Sequence, residues 1–279
     1  MEAPAGWRSL IAEFRRRIGE ADLSLYAAAV AYNAFLALVP LAMALVGAGA
    51  FIGRSAEVLE RVRRTLDAVA PGAVSEFIVD LFSEAEARLG GQEGWVIAFS
   101  VLLALFLGSR SVVALQKALA RVEEHTEARR GPALRLVALG LTVGGGLAFL
   151  LVSVPLVFGG RLVSFLGELT GIGALVTLWG WVRVPLSAVG LFLFLLGLYR
   201  WGPPQPLPRA WLAALVGTAG ALLASLGFSL YLALAPQLGA TFGVLGAVAI
   251  ALVWLYAGAF AVLLGAVTVA YAVRSRGGP

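Results

Sequence analysis

The sequence contains no cysteine and a single histidine, His125, among 279 residues. Disulfides, thiol nucleophiles and cysteine-based metal sites are therefore excluded. A multi-histidine zinc site is excluded too. Lysine is almost absent, with Lys117 the only one, so the net charge of +5 comes nearly all from arginine. Charge itself is scarce. Only 13% of the residues are charged and 60% are hydrophobic, against roughly a quarter charged in a soluble domain. A surface that apolar would associate in water, so hydrocarbon is the expected solvent. The N-terminal stretch has no short apolar core followed by a small-residue cleavage site, so no removable signal peptide is expected.

Long uncharged runs take the place of charge. A spanning helix needs about 20 mostly apolar residues, and the runs predict six, at 27–52, 95–115, 134–158, 178–199, 210–235 and 244–273. The last two share a 64-residue stretch without charge, Ala210 to Val273, in which Pro236, Gly239 and Gly243 are expected to make the break. Residues 7–20 put Trp7, Leu10, Ile11, Phe14 and Ile18 on one face, the pattern of a helix lying in the headgroup region. Residues 56–90 carry two amphipathic rhythms. One comprises Val58, Leu59, Val62, Leu66 and Val69. The other comprises Val74, Phe77, Ile78, Leu81, Phe82 and Ala85, and Ala70-Pro71-Gly72 forms the turn between them. They predict an extracytoplasmic helical hairpin that rests on the outer leaflet, packs on the bundle or covers a cavity. The expected fold is all-α, a single polytopic membrane bundle.

Basic side chains set the orientation, because cytoplasmic connections are enriched in them. With the N-terminus inside, thirteen fall in cytoplasmic segments: Arg8, Arg15, Arg16, Arg17, Lys117, Arg121, Arg129, Arg130, Arg135, Arg200, Arg209, Arg274 and Arg276. Six fall outside: Arg54, Arg61, Arg63, Arg64, Arg88 and Arg161. Both termini are then cytoplasmic, in the inner membrane of a bacterium. The basic balance is read as topology and contact with anionic headgroups rather than nucleic-acid binding.

Several blocks match a known family in order and spacing. They are Ala27-Ala28-Ala29-Val30-Ala31-Tyr32 with Pro40; Leu107-Gly108-Ser109 with Leu115-Gln116-Lys117-Ala118-Leu119; Phe228-Ser229-Leu230-Tyr231; Thr241-Phe242-Gly243-Val244-Leu245-Gly246; Trp254-Leu255-Tyr256; and Leu264-Gly265-Ala266. Together they resemble the YihY/BrkB family of inner-membrane proteins, over about 10 to 272. The chain departs from the pattern at Val267, where an acid is usual, at Phe242 in place of tyrosine, and at Ala37 and Leu38 before the proline. The resemblance implies six inner-membrane helices. Members of the family have been labelled ribonucleases, linked to virulence and suggested to act in lipid or envelope-precursor transport.

The candidate site residues follow from polar groups inside apolar runs. Arg110 lies within the second span, where an arginine costs roughly 2.5–3.5 kcal/mol at a helix centre. It can snorkel to the inner headgroups, or it can line a cavity with Ser109, Ser111 and Gln116 and hold a phosphate through its rigid fork. Tyr32 and Asn33 precede Pro40, whose missing N–H frees a carbonyl and can kink the helix. Packing by neighbouring helices is the plain alternative. Arg183, beside Trp179 and Trp181, is either an interfacial anchor or a second anion station, with Glu168 as partner.

These features predict a transporter or flippase of an amphipathic, anionic lipid-like or envelope-precursor substrate. A non-transporting scaffold for envelope assembly is the alternative. No acid lies in a spanning core, which disfavours a buried proton relay. Phosphodiester hydrolysis needs clustered acids holding metals or histidines. Here Glu123-Glu124-His125 reads as a solvated helix end, so no enzyme, catalytic residue, metal or cofactor is expected. Membrane lipids are the expected partners and nucleic acid is not, with homo-oligomerisation left open.

Overall fold

A computed structural model describes residues 19, 22–51, 60, 63–64, 72–89, 94–122, 131–146, 174–203, 205–207, 209–234 and 237–274, with some side chains inside these ranges left out. The expected headgroup helix at 7–20 apart from Gly19, the first arm of the hairpin apart from three residues, Glu168 and the loop holding His125 lie outside them.

Seven helices are described: α1 (Leu23–Phe51), α2 (Gly72–Leu89), α3 (Gly94–Val122), α4 (Pro132–Gly146), α5 (Ala174–Trp201), α6 (Ala210–Leu234) and α7 (Gln237–Arg274). The described residues contain no strand. Four helical stretches, Leu23–Gly47, Gly94–Val122, Ala210–Leu234 and Gly246–Ala270, are long and apolar enough to cross a membrane, and Pro132–Gly146 and Pro185–Trp201 are shorter apolar helices. The molecule is a polytopic helical membrane bundle.

Two buried clusters show how the helices alternate in direction. The first joins the start of α1 (Leu23, Ala27, Val30), the end of α3 (Leu115, Leu119), Ala138 of α4, the end of α5 (Leu195, Leu198, Tyr199), the start of α6 (Ala210, Ala213) and the end of α7 (Leu263, Ala266, Val267). We call this the near end. The second joins the last half of α1 (Ala42, Val46) to α2 (Val74, Phe77, Ile78, Phe82, Ala85), Val96 of α3, Phe228 and Leu232 of α6, and Ile250 and Ala251 of α7. This is the far end.

The helices start where the local chemistry lets them. Asp22 stands before α1 with a left-handed φ of 50°; its N–H donates to the Gly19 carbonyl, and its own carbonyl accepts from Tyr26 N–H. Asp22 also pairs with Arg121 at the end of α3, and the Arg121 guanidinium lies 5.8 Å from the Tyr26 ring centroid. The near ends of α1 and α3 are thereby tied. Gly131, at φ 64°, leads into Pro132, a residue whose missing N–H costs nothing at a first helical position.

Helix α1 packs most extensively on α3, and α6 on α7. The closest approach is between backbones. A Cβ built on Gly265 of α7 would stand 2.7 Å from the Gly217 nitrogen and 2.9 Å from the Ala213 oxygen of α6. Only glycine fits there, in the way small residues let membrane helices pack closely.

Pro40 and Pro185 both lie inside continuous helices, α1 and α5. One expectation about a helix break is revised, that at Pro236, Gly239 and Gly243. Gln237, Gly239 and Gly243 are helical, because α7 begins at Gln237. Glycine is tolerated within membrane helices, so Gly239 and Gly243 do not interrupt α7.

Large apolar side chains cover the outside: Leu25 and Leu36 on α1, Phe99 and Leu102 on α3, Leu223, Leu226 and Leu230 on α6. Trp95 at the far end, and Trp201 and Trp211 at the near end, are exposed, as interfacial tryptophans are.

Candidate functional site

The expected polar site divides between two surfaces. Ser109, Ser111 and Gln116 are buried inside the bundle. The Ser109 hydroxyl donates to the Phe106 carbonyl at 2.8 Å, and the Ser111 hydroxyl crosses to the Val30 carbonyl of α1 at 3.2 Å. Gln116 is 2% exposed, and neither end of its carboxamide has a protein partner within hydrogen-bonding reach.

Arg110 faces the other way. It is exposed on the same stripe of α3 as Trp95, Phe99, Leu102 and Phe106. Consecutive helical residues point about 100° apart, so Ser109, Arg110 and Ser111 share a sequence but not a face. Arg110 comes sixteen residues after Gly94 and twelve before Val122, ~24 Å and ~18 Å of rise respectively. Its guanidinium carbon stands 5.9 Å from the Phe106 ring centroid, one turn back toward the far end. Helical side chains lean toward the N-terminus of their helix, which in α3 is the far end. The Arg110 guanidinium lies toward Phe106. It sits about half-way along the helix, on an apolar outer surface.

Tyr32 and Asn33 also separate. Tyr32 is exposed among Leu25, Leu36 and Val39, while Asn33 is buried and its Nδ2 donates to the Ala29 carbonyl at 2.7 Å. Pro40 is buried. Arg183 lies in α5, with its side chain outside the described residues.

Sequence reasoning missed two polar contacts between helices and one buried hydroxyl. The buried Tyr199 hydroxyl donates to the Val262 carbonyl at 2.6 Å, joining α5 to α7. Trp254 Nε1 donates to Ser225 Oγ at 3.0 Å, joining α7 to α6. Thr218 is buried, and its hydroxyl has no protein partner. A lone polar group in an apolar run was the available signal for each, but it does not tell which helix will be opposite. Among the described residues, no three His, Cys, Asp or Glu side chains come together as a metal set.

The order of helices and the glycine contacts meet an independent comparison here. A family model described as Virulence factor BrkB matches residues 14–278. The chain belongs to the BrkB family. Among curated relatives it is similar to YfkH of Bacillus subtilis, a protein named ribonuclease-like, at 22% identity over 241 residues, 85% of this chain and 86% of that one. It is 28% identical over 277 residues to a UPF0761 membrane protein of Methylibium petroleiphilum, and 26% identical over 276 residues to another of Delftia acidovorans. Each of these two matches takes in 95% of this chain and 62% of the relative, so the BrkB chain spans about three-fifths of their length. No solved structure matches.

Proposed function

We propose that this BrkB-family protein moves an amphipathic, anionic lipid-like substrate across the bacterial plasma membrane. The headgroup passes along the outer face of α3 while the acyl chains stay in the bilayer. One observation carries this reading: an exposed arginine, Arg110, half-way along a spanning helix and among Phe99, Leu102 and Phe106. A lipid-facing charge at that depth costs several kcal/mol on most scales. A phosphate bound by the guanidinium fork offsets part of that cost. In this account Ser111 holds α3 to α1 through the Val30 carbonyl, and Ser109, Gln116, Asn33 and Pro40 have an interior role in the packing behind the path. Tyr32 is a lipid-facing neighbour, and Arg183 is a second anion contact.

The orientation belongs to the same proposal. The exposed cations Lys117, Arg121, Arg135, Arg200 and Arg209 lie toward the near end. That excess supports a cytoplasmic near end and cytoplasmic termini. We read the protein as a carrier rather than an enzyme.

Proteoliposomes holding headgroup-labelled anionic phospholipid, quenched from outside, test the reading. Faster loss of protected label than in protein-free vesicles is the expected result. Equal rates would leave a non-transporting scaffold.

A further inference from the structure

Among the described helices, α2 alone exposes acidic side chains. Its apolar face, Val74, Phe77, Ile78, Phe82 and Ala85, is buried against α1 and α7. Its exposed positions include Glu76, Asp80, Ser83 and Glu84, one ridge at helical spacing. Exposed positions on α6 are instead Leu223, Leu226 and Leu230, and the exposed charges of α3 (Arg110, Lys117 and Arg121) are all basic.

Depth makes the difference informative. The Phe77 ring stacks on Phe35 of α1, with centroids 5.9 Å apart and planes 7° from parallel. Phe35 lies sixteen residues before the far end of α1 at Phe51, ~24 Å of helical rise. Glu76, adjacent to Phe77, and Asp80, one turn on, therefore stand well inside the length of the bundle. Helix α2 is not laid across its end. Leu89, the other end of α2, is connected to Gly94 at the far end of α3. A chain that enters and leaves on the far side and reaches Phe35 between is a re-entrant segment.

Charged side chains within a membrane protein almost always face the bundle interior or a water-filled cavity, a lipid-facing charge being the costly exception. Glu76 and Asp80 are exposed, so the bundle interior is not what they face. We propose that the exposed ridge of α2 lines a water-filled cleft, open to the far side and reaching the level of Phe35. The cleft is separate from the α3 face used by the lipid path, and does not depend on that reading.

The cysteine-free chain allows a direct test. Single cysteines at Glu76, Asp80 and Ser83 are challenged with a membrane-impermeant, charged methanethiosulfonate in right-side-out and inverted vesicles. Glu60→Cys, on the connection before α2, is the same-side reference, and Leu102→Cys is the lipid-face reference. The reagent needs a thiolate, and a thiolate needs water. All three α2 positions are expected to react from whichever side labels Glu60→Cys, at rates within about tenfold of it, while Leu102→Cys stays unlabelled. Failure of Glu76→Cys and Asp80→Cys in a variant that remains monodisperse would overturn the cleft. Labelling from the side opposite to Glu60→Cys would overturn it equally. Ser83→Cys changes one atom, so a misfolded acid variant does not leave the ridge unprobed.

Discussion

Phe35 and Phe77 lie face to face, 5.9 Å between centroids and 7° between planes. The contact anchors α2 to the middle of α1 and fixes that helix in the bundle rather than upon it. Offset stacked pairs contribute beyond their buried area, and truncating a buried phenylalanine costs about 3–5 kcal/mol. Phe77→Ala should therefore lower the melting temperature in detergent markedly. Phe77→Leu keeps most of the volume and should cost about 1 kcal/mol. If α2 rested on the membrane surface, both changes would be nearly silent.

Gly265 and Gly217 give a sharper steric prediction. A Cβ at Gly265 would meet backbone atoms of α6, whereas one at Gly47 would meet the Ile97 side chain at 2.6 Å. A side chain can rotate away and a backbone cannot. Gly265→Ala should destabilise by at least the 1–3 kcal/mol typical of overpacking, and by more than Gly47→Ala. Paired thermal-shift curves check the order.

Gln116 is buried with both ends of its carboxamide unpartnered by protein. An unbonded buried amide costs about 1–3 kcal/mol. Gln116→Leu, close in volume, should leave stability unchanged or raise it by that amount. A clear loss of melting temperature would mean that the carboxamide holds something that stabilises the fold.

The Asp22–Arg121 pair joins α1 to α3 yet is about half exposed, at 46% and 51%. Exposed pairs contribute ~0–1 kcal/mol. A double-mutant cycle with Asp22→Ala and Arg121→Ala should give a coupling in that range, shrinking with salt.

Sequence reading reached the helices because solvent decides them. Runs such as Leu23 to Gly53 have no charge to place in water, and the rhythm of Val74, Phe77, Ile78, Phe82 and Ala85 names the face of α2 that is buried. It did not reach depth, because the depth of α2 depends on Phe35, forty-two residues away from Phe77. It also grouped Ser109, Arg110, Ser111 and Gln116 by proximity in the chain. Helical geometry turns the serines and the glutamine inward and the arginine outward. Pro40 frees a carbonyl inside an apolar run, and α1 continues through it, since neighbours in a bundle re-satisfy such a group.

The lipid-path account rests on the charge at Arg110, so its most direct test is the scrambling rate of headgroup-labelled anionic phospholipid by Arg110→Ala and Arg110→Lys proteoliposomes, matched for folded protein. The account predicts a loss of tenfold or more for alanine and a partial loss for lysine, which keeps the charge but not the fork. Wild-type rates in the alanine variant would contradict it.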